Sequence, residues 1–433
     1  METVYEAAKA ALSYAVAQRR YFHENPELSG FEFDTMSHIA SELKAMEIPF
    51  DYIPDGGLLG YIDGEGEGGS VLLRADCDAL PIPEAKENNK RPKCCVSKRD
   101  GVAHMCGHDA HMAMLLAAAK ILMSRRDRLA GRVYLLFERG EEGTNNIYWV
   151  MRHLFENKVR IDGALGLHVD GAVPTGQIVF RDGPVCAGAG GYLITLTGRG
   201  GHGSRPDESN NPIDCFVAIY NQLKTVRIRY IQPFTPFTDG VGVVQSGTKG
   251  NVIPEDLRFS GTFRFFDMEA GQTYYDKLRS IVDHTAAEYG CTAAYNMLIG
   301  PSLPVVNDAE CCRALGEALK KTLPAELIAG ADVQMGSESF ATFAAYYPSV
   351  YARVGTGDPE LGTDVEAHHP AFDIDESAMA SGIAAYAAFA EEFLSGGYKP
   401  AFTPSSDSID ELTRKTNMVF PPRRDGVDGE VRL

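Results

Sequence analysis

Three short apolar runs each end in residues that bind protons or metals. VLLRADCDALPI (71–82) runs into Asp76 and Asp78, GRVYLLFERGEEG (131–143) into Glu141 and Glu142, and GALGLHVDG (163–171) into His168 and Asp170. Runs of this length and polarity read as buried strands. A buried-type helix, HMAMLLAAAKILMSRR, separates the first two. Strands alternating with helices specify an α/β fold with a largely parallel central sheet. In such sheets ligands collect beyond the carboxyl ends of the strands, where these residues fall.

At 433 residues the chain exceeds one simple core, so two or three domains are expected. Residues 1–48 read as helical: AAKAALSYAVAQRRYFHENPE is stopped by Pro26, and DTMSHIASELKAM starts at Asp34 as a candidate N-cap. The texture changes near residue 188. From there a strand–helix–strand–strand–helix–strand order runs to about residue 301, the split βαβ pattern of a ferredoxin-like α+β module. The α/β texture returns near residue 302. The expected division is therefore 1–187 with 302–397, an inserted domain at 188–301, and a polar C-terminal tail at 398–433, weakly ordered or draped over the surface.

The formal charge is −18, which argues against a nucleic-acid partner, because phosphate binding needs a basic surface. A small anionic substrate in a locally basic pocket stays compatible with it. The N-terminus does not read as a signal peptide, and no stretch approaches 18 consecutive apolar residues. Nine cysteines, an odd number with no framework spacing, point to free thiols in a reducing, cytoplasmic setting. Cys94 and Cys95 lie among Lys and Arg and read as an exposed loop; Cys311 and Cys312 lie in a helix and look structural.

HMCGHDAH (104–111) places one Cys and three His within eight residues at the mouth of a helix. A two-metal hydrolase needs Asp, Glu, His or Cys ligands around paired cations, with a carboxylate base beside the attacking water. The candidates are Asp76, Asp78, Cys106, His108, His111, Glu141, Glu142, His168, His368 and His369. A Glu–Glu pair suits this chemistry, because one carboxylate can bind metal while its neighbour takes a proton. His104 and His111 read better as hydrogen-bonding residues at the helix start. His369 reads as a neighbour of a ligand, and His23, His38, His153 and His284 as surface or packing residues.

RADCDALPIPE, HMCGHDAH, the Glu–Glu pair, GLHV, GRGGHGS, GNVIP, GTFRFF and HHPAFDIDE occur in this order, with HENPELSGFE ahead of them. Together they resemble the amidohydrolases of the peptidase M20 family, in particular the N-acyl-amino-acid branch of aminoacylases, hippurate hydrolases and auxin-conjugate hydrolases. The resemblance spans about residues 5–395. It implies a zinc-exopeptidase-like catalytic domain with an inserted ferredoxin-like lid and dimerisation domain. It implies two divalent metal ions, Zn²⁺ or Mn²⁺, held by Cys106, His108, Glu142, His168 and His368, with Glu141 as general base and Asp78 orienting a ligand imidazole. His202 would reach the partner subunit's site of a homodimer and stabilise the oxyanion, while Asn251 and Arg264 would hold the substrate carboxylate. The expected reaction is hydrolysis of an N-acyl amino acid or related small amide by metal-activated water. The alternatives are an M20-type dipeptidase or carboxypeptidase, a thiol hydrolase built on Cys106, or a non-catalytic binding protein.

The sequence departs from the family pattern at several points. FERG (137–140) stands where phenylalanine–glutamine–proline–alanine is common. Ser339 in GSESF stands where relatives usually carry Asp, and Asp207 where many carry a second His. The segment KENNKRPKCCVSKRDG (86–101) is longer and more basic than expected. These changes bear on the substrate pocket and leave the proposed ligands in place.

Overall fold

The computed structural model describes residues 2–416, 418 and 420–433. The chain opens with α1 (Val4–Glu24) and α2 (Phe33–Ala45), then β1 (Phe50–Ile53), β2 (Gly57–Asp63), β3 (Gly66–Asp76), α3 (His108–Ser124), β4 (Ala130–Glu138), α4 (Ile147–Glu156) and β5 (Gly163–Pro174). Three short strands, β6 (Ile178–Phe180), β7 (Gly183–Cys186) and, after the longer β8 (Gly188–Thr197), β9 (Gly201–His202), lead to α5 (Pro212–Arg229). β10 (Phe237–Ser246), β11 (Val252–Ile253), β12 (Asp256–Phe265), α6 (Met268–Glu288) and β13 (Thr292–Ile299) follow. The chain closes with β14 (Val305–Asn307), α7 (Ala309–Thr322), β15 (Ile328–Gly330), α8 (Phe340–Ala344), β16 (Ser349–Gly357), α9 (Met379–Ser395) and α10 (Ile409–Lys415).

The main sheet has the order β1-β2-β4-β3-β5-β16-β6-β15. Its centre is parallel, with β3 paired to both β4 and β5, and β5 to β16. The ends of β3 and β4 are level, Asp76 lying opposite Glu138. Side chains of a strand alternate between faces. Val71, Leu73 and Ala75 enter the core built with α1, α3, α7 and α9, whereas Leu72 enters the one built with α4 and α8. Arg74 and Asp76 share the parity of Leu72, so strand pleating alone sets them on that second face.

α3 and α9 are Ala-rich and buried almost all round. They sit close because Gly382 has no side chain: a Cβ there would lie 2.2 Å from Met114 Sδ. α1 opens with a capping box between Thr3 and Glu6. α2 starts at Phe33, one residue before the expected Asp34 cap, with Glu32 at the N-cap position. The Glu32 carboxylate makes no cap bond; it accepts from Gly30 N, Gly140 N and Arg139 Nε at 3.0, 2.8 and 3.0 Å.

Between β8 and β13 the order is strand, helix, strand, strand, helix, strand, apart from the short β9 and β11. The four long strands form an antiparallel sheet in the order β10-β12-β8-β13, with α5 and α6 packed on it around a separate apolar core. The tail after Gly397 lies against the body. Ser408 caps α10, whose Ile409 and Leu412 join the α4–α8 core. Among the described residues no helix is long and apolar enough to cross a membrane.

α1 is tied to the start of α3 by a buried ionic cluster. His23, expected to be a packing or surface residue, bonds Asp109 through Nδ1 at 2.8 Å and Glu84 through Nε2 at 2.9 Å. Arg19 Nε lies 2.8 Å from Asp109, and Lys93 Nζ 2.9 Å from Glu84. Burial pushes the Glu84 carboxyl up, but His23, the Ser97 N–H and Lys93 outweigh it and hold the carboxyl at about 2, against an ordinary 4.5. A depressed carboxyl stabilises the fold above its unfolded value and loses that effect as pH falls through its folded one. In metal-free protein the stability gap between wild type and Glu84→Gln should therefore shrink as pH falls from about 4.5 towards 2. Urea titrations at several pH values measure it; a pH-independent gap would contradict this role for Glu84.

Candidate metal centre

β4, β3 and β5 are neighbours and run parallel, so the segments leaving them meet. Asp78 follows β3, Glu141 and Glu142 follow β4, and His168 lies within β5. Cys106 and His108 arrive at the start of α3, on either side of Gly107. That glycine has φ 88°, and a Cβ on it would lie 2.2 Å from Val169 Cγ2, so the turn is closed to other residues. His368 comes from the loop before α9, also with positive φ, 66°, and its N–H bonds Met105 O at 2.7 Å.

The five expected ligands converge. Cys106 Sγ lies 3.4 Å from His168 Nε2 and 3.3 Å from His368 Nε2. His368 Nε2 lies 3.2 Å and His108 Nε2 3.9 Å from Glu142 Oε1. Cys106, His108 and His168 form one group of potential ligand atoms mutually within 4.8 Å, and Cys106, Glu142 and His368 form a second. His108, Glu141 and Glu142 form a third on the same criterion.

The imidazoles are oriented from behind, as metal-binding histidines usually are. His108 Nδ1 faces Asp78 Oδ1 at 3.1 Å, and the other Asp78 oxygen accepts the Glu142 N–H at 2.8 Å. His168 Nδ1 bonds the Val169 carbonyl at 2.7 Å, which turns Nε2 towards Cys106. His108 Nε2 and Glu142 Oε1 are buried with no hydrogen-bond partner. Buried polar atoms without a well-formed hydrogen bond are costly unless a third body satisfies them. Burial also pushes the Cys106 thiol well up, although His108 opposes this. A cation would favour the thiolate instead. One sulfur, three imidazoles and a carboxylate suit zinc or another first-row divalent ion.

Other candidates fall outside this cluster. His111 lies close to Asp76 and His108, yet both its nitrogens are engaged: Nδ1 with Asp76 Oδ1 at 2.5 Å and Nε2 accepting the Val169 N–H at 2.9 Å. Asp76 is held by Arg74 at 2.7 Å. Asp170 pairs with Arg353 at 2.6 Å, and Asp207 forms an exposed pair with Arg205. His104 is fully buried with neither nitrogen bonded; burial lowers its pKa to about 4, so it is neutral. His369 accepts the Ala371 N–H.

Glu141 Oε1 accepts the Ser339 N–H at 3.0 Å. Its carboxyl is raised well above the ordinary range by burial, then by Glu338, Glu142 and Asp78. A carboxylate that takes a proton readily suits a general base. Beside it lies a cavity of about 210 Å³ lined by Glu141, Glu142, Leu303, Ser339, Thr342 and Met418, among others.

Sequence reasoning did not find the charge network beneath the site. Arg74 is fully buried and donates to Asp76, Glu138 and Glu338 at 2.7, 2.7 and 2.9 Å. Ser339 Oγ donates to Glu138 at 2.6 Å, and Tyr351 OH to Glu338 at 2.7 Å. The available signal was a charged residue inside each of two apolar strands, VLLRAD and YLLFER. His202 and Asn251 are both exposed at the β9–β11 ribbon, His202 bonded to Ser204. Arg264 donates to the carbonyls of Met335 and Phe263 at 3.2 and 3.1 Å.

The profile of Peptidase family M20/M25/M40 matches residues 72–392. Thermostable carboxypeptidase 2 of Saccharolobus solfataricus is 31% identical over 398 residues, covering 91% of this chain and 98% of that protein. The N-acetylcysteine deacetylase of Bacillus subtilis is 34% identical, covering 86% of this chain and 95% of its own. A Bacillus subtilis crystal structure, described as a dinuclear metal binding peptidase from the M20 family, superposes with a TM-score of 0.72. It is 30% identical, over 89% of this chain and 99% of that one. The donors gathered at the ends of the parallel strands and the match across most of the chain agree: the protein belongs to peptidase family M20/M25/M40.

Proposed function

We propose that the protein is a metal-dependent amidohydrolase that splits an N-acyl amino acid, or a related small amide, into a carboxylic acid and an amino acid. The observation that carries this reading is the convergence of the potential ligand atoms of Cys106, His108, Glu142, His168 and His368, beside the Glu141 carboxyl of raised proton affinity. The five side chains would hold two divalent ions, Zn²⁺ or Mn²⁺, which supply Lewis-acid polarisation of the amide carbonyl and of water. Glu141 takes the water proton and passes it to the leaving amine, a role worth about 10²–10⁴ in rate. Asp78 fixes His108 and the Glu142 backbone in place.

Arg264 suits a substrate carboxylate. It is half-buried, bonds the carbonyl oxygens of Met335 and Phe263 among the described residues, and a guanidinium can bind both carboxylate oxygens. Asn251 would assist it. His202 is exposed and is not among the grouped ligand atoms, which fits a role in a second subunit's site as an oxyanion donor. Exposed Ile213, Val217 and Tyr220 on α5 suit a homodimer contact through the 188–301 module. All nine cysteines are free, in keeping with a reducing, cytoplasmic setting. A second reading, a carboxypeptidase or dipeptidase acting on short peptides, is favoured by the name of the Saccharolobus relative.

Metal-stripped protein given back Zn²⁺, Mn²⁺ or Co²⁺ should release amino acid from a panel of N-acetyl, N-benzoyl, longer N-acyl and indole-acetyl amino acids. Glu141→Gln should lower kcat by about 10²–10⁴ with metal content unchanged. Turnover that survives chelation but not alkylation of Cys106 would show a thiol hydrolase instead; cleavage of dipeptides alone would favour the second reading. Gly107→Ala should weaken metal binding by at least about tenfold, since a left-handed backbone costs a non-glycine residue roughly 1–2 kcal/mol before any clash with Val169. Competition with a chromogenic chelator measures that loss, and an unchanged affinity would contradict the assigned role of the turn.

A further inference from the structure

The C-terminal tail lies outside the stretch matched by the family profile, yet it reaches the cavity beside Glu141 and Glu142. We infer that the tail completes the pocket for the substrate's acyl group, with Met418 as its end wall and so the residue that limits acyl size. The inference rests on the N-acyl reading above and adds a specificity-determining residue to it.

Charge decides which end of the substrate enters. The cavity lining carries three carboxylates, Glu141, Glu142 and Glu338, and no basic side chain. An amino-acid carboxylate would find no basic partner there, and Arg264 does not line the cavity. The neutral acyl group is left, and Leu303, Ala341 and Met418 offer it apolar surface. Met418 also lines a second, much smaller void of about 10 Å³ under α10, where Ile409 and Leu412 form the wall. Asn145, Leu303, Thr342 and Met418 border both spaces, so they form the partition between them.

The partition is held on both sides of Met418. Before it, Ile409 and Leu412 are buried, and the Met418 N–H bonds the Thr413 carbonyl at 3.1 Å. After it, the Arg423 guanidinium stacks 3.4 Å from the Trp149 ring centroid. The N–H groups of Arg424 and Asp425 bond Asp55 Oδ1 at 2.8 and 3.0 Å. Asp425 accepts from Arg139 Nη1 at 2.8 Å and also bonds Tyr52 OH. Arg139 leads directly into Gly140, Glu141 and Glu142, so the anchor of the tail also steadies the turn that carries the proposed base. A Met wall is unbranched and can repack, which suits a boundary that sets size rather than chemistry.

The test uses full-length, metal-loaded wild type, Met418→Ala and Met418→Trp, with metal content and melting temperature checked for each. Two readouts are taken across acyl length, from acetyl to octanoyl: kcat/KM for N-acyl derivatives of one amino acid, and calorimetric Kd for the free carboxylic acids. Beyond the length at which wild type levels off, Met418→Ala should keep gaining, by up to about fourfold per added methylene. Met418→Trp should level off earlier. Identical length profiles in all three proteins would overturn the inference, whether or not the substrates are cleaved. A shift in acid binding with no cleavage of any N-acyl amino acid would uphold the pocket and defeat the proposed reaction.

Discussion

A single buried guanidinium underlies the site. Arg74 is fully enclosed and donates to Asp76 at the end of β3, Glu138 at the end of β4, and Glu338 ahead of α8. Removing one partner from a buried ionic set typically costs about 3–5 kcal/mol, because the remaining charges stay desolvated. Here three carboxylates would be left. Two of the three extend the network to proposed site residues: Asp76 bonds His111, whose far nitrogen accepts the Val169 N–H next to His168, and Glu338 helps raise the Glu141 carboxyl. The position of Arg74 follows from the alternation of VLLRAD, which sends it to the face opposite Val71 and Leu73.

The same balance explains why the centre calls for cations. Around Cys106 the chain gathers Asp78, Glu141 and Glu142 above a network whose one guanidinium already serves three carboxylates. Burial pushes both the Cys106 thiol and the Glu141 carboxyl towards their protonated forms. Positive charge placed between His108 Nε2 and Glu142 Oε1 would satisfy two orphaned atoms and draw the thiol towards thiolate. The cluster is thus arranged for occupants that the polypeptide does not itself supply.

Much of this was legible in the sequence. Apolar runs ending in ligand-type residues gave the parallel sheet and the rim where the site lies. The order of the motifs pointed to the five residues that come together. What stayed hidden depends on contacts between distant segments. Asp34 had the chemistry of an N-cap, but the cap position falls two residues earlier, at Glu32, whose carboxylate is drawn away by Arg139 and Gly140. His23 looked like any helical histidine until Asp109 and Glu84 closed on it. The departures from the family pattern looked independent in the sequence, yet two of them touch: Ser339 donates to Glu138. Arg139, in the same FERG segment, is held by Asp425 of the tail. That tail reads as polar because the residues that dock it, Tyr398, Ile409, Leu412 and Val431, are too scattered to give a helical signal.

The central claim is that Cys106, His108, Glu142, His168 and His368 hold two divalent ions. Native mass spectrometry of metal-stripped protein titrated with Zn²⁺ tests it most directly, alongside His168→Ala and Glu142→Gln. The account predicts two ions per chain for wild type and fewer than two for each variant at the same free Zn²⁺. A wild-type chain that binds none, or variants that bind as wild type does, would contradict it.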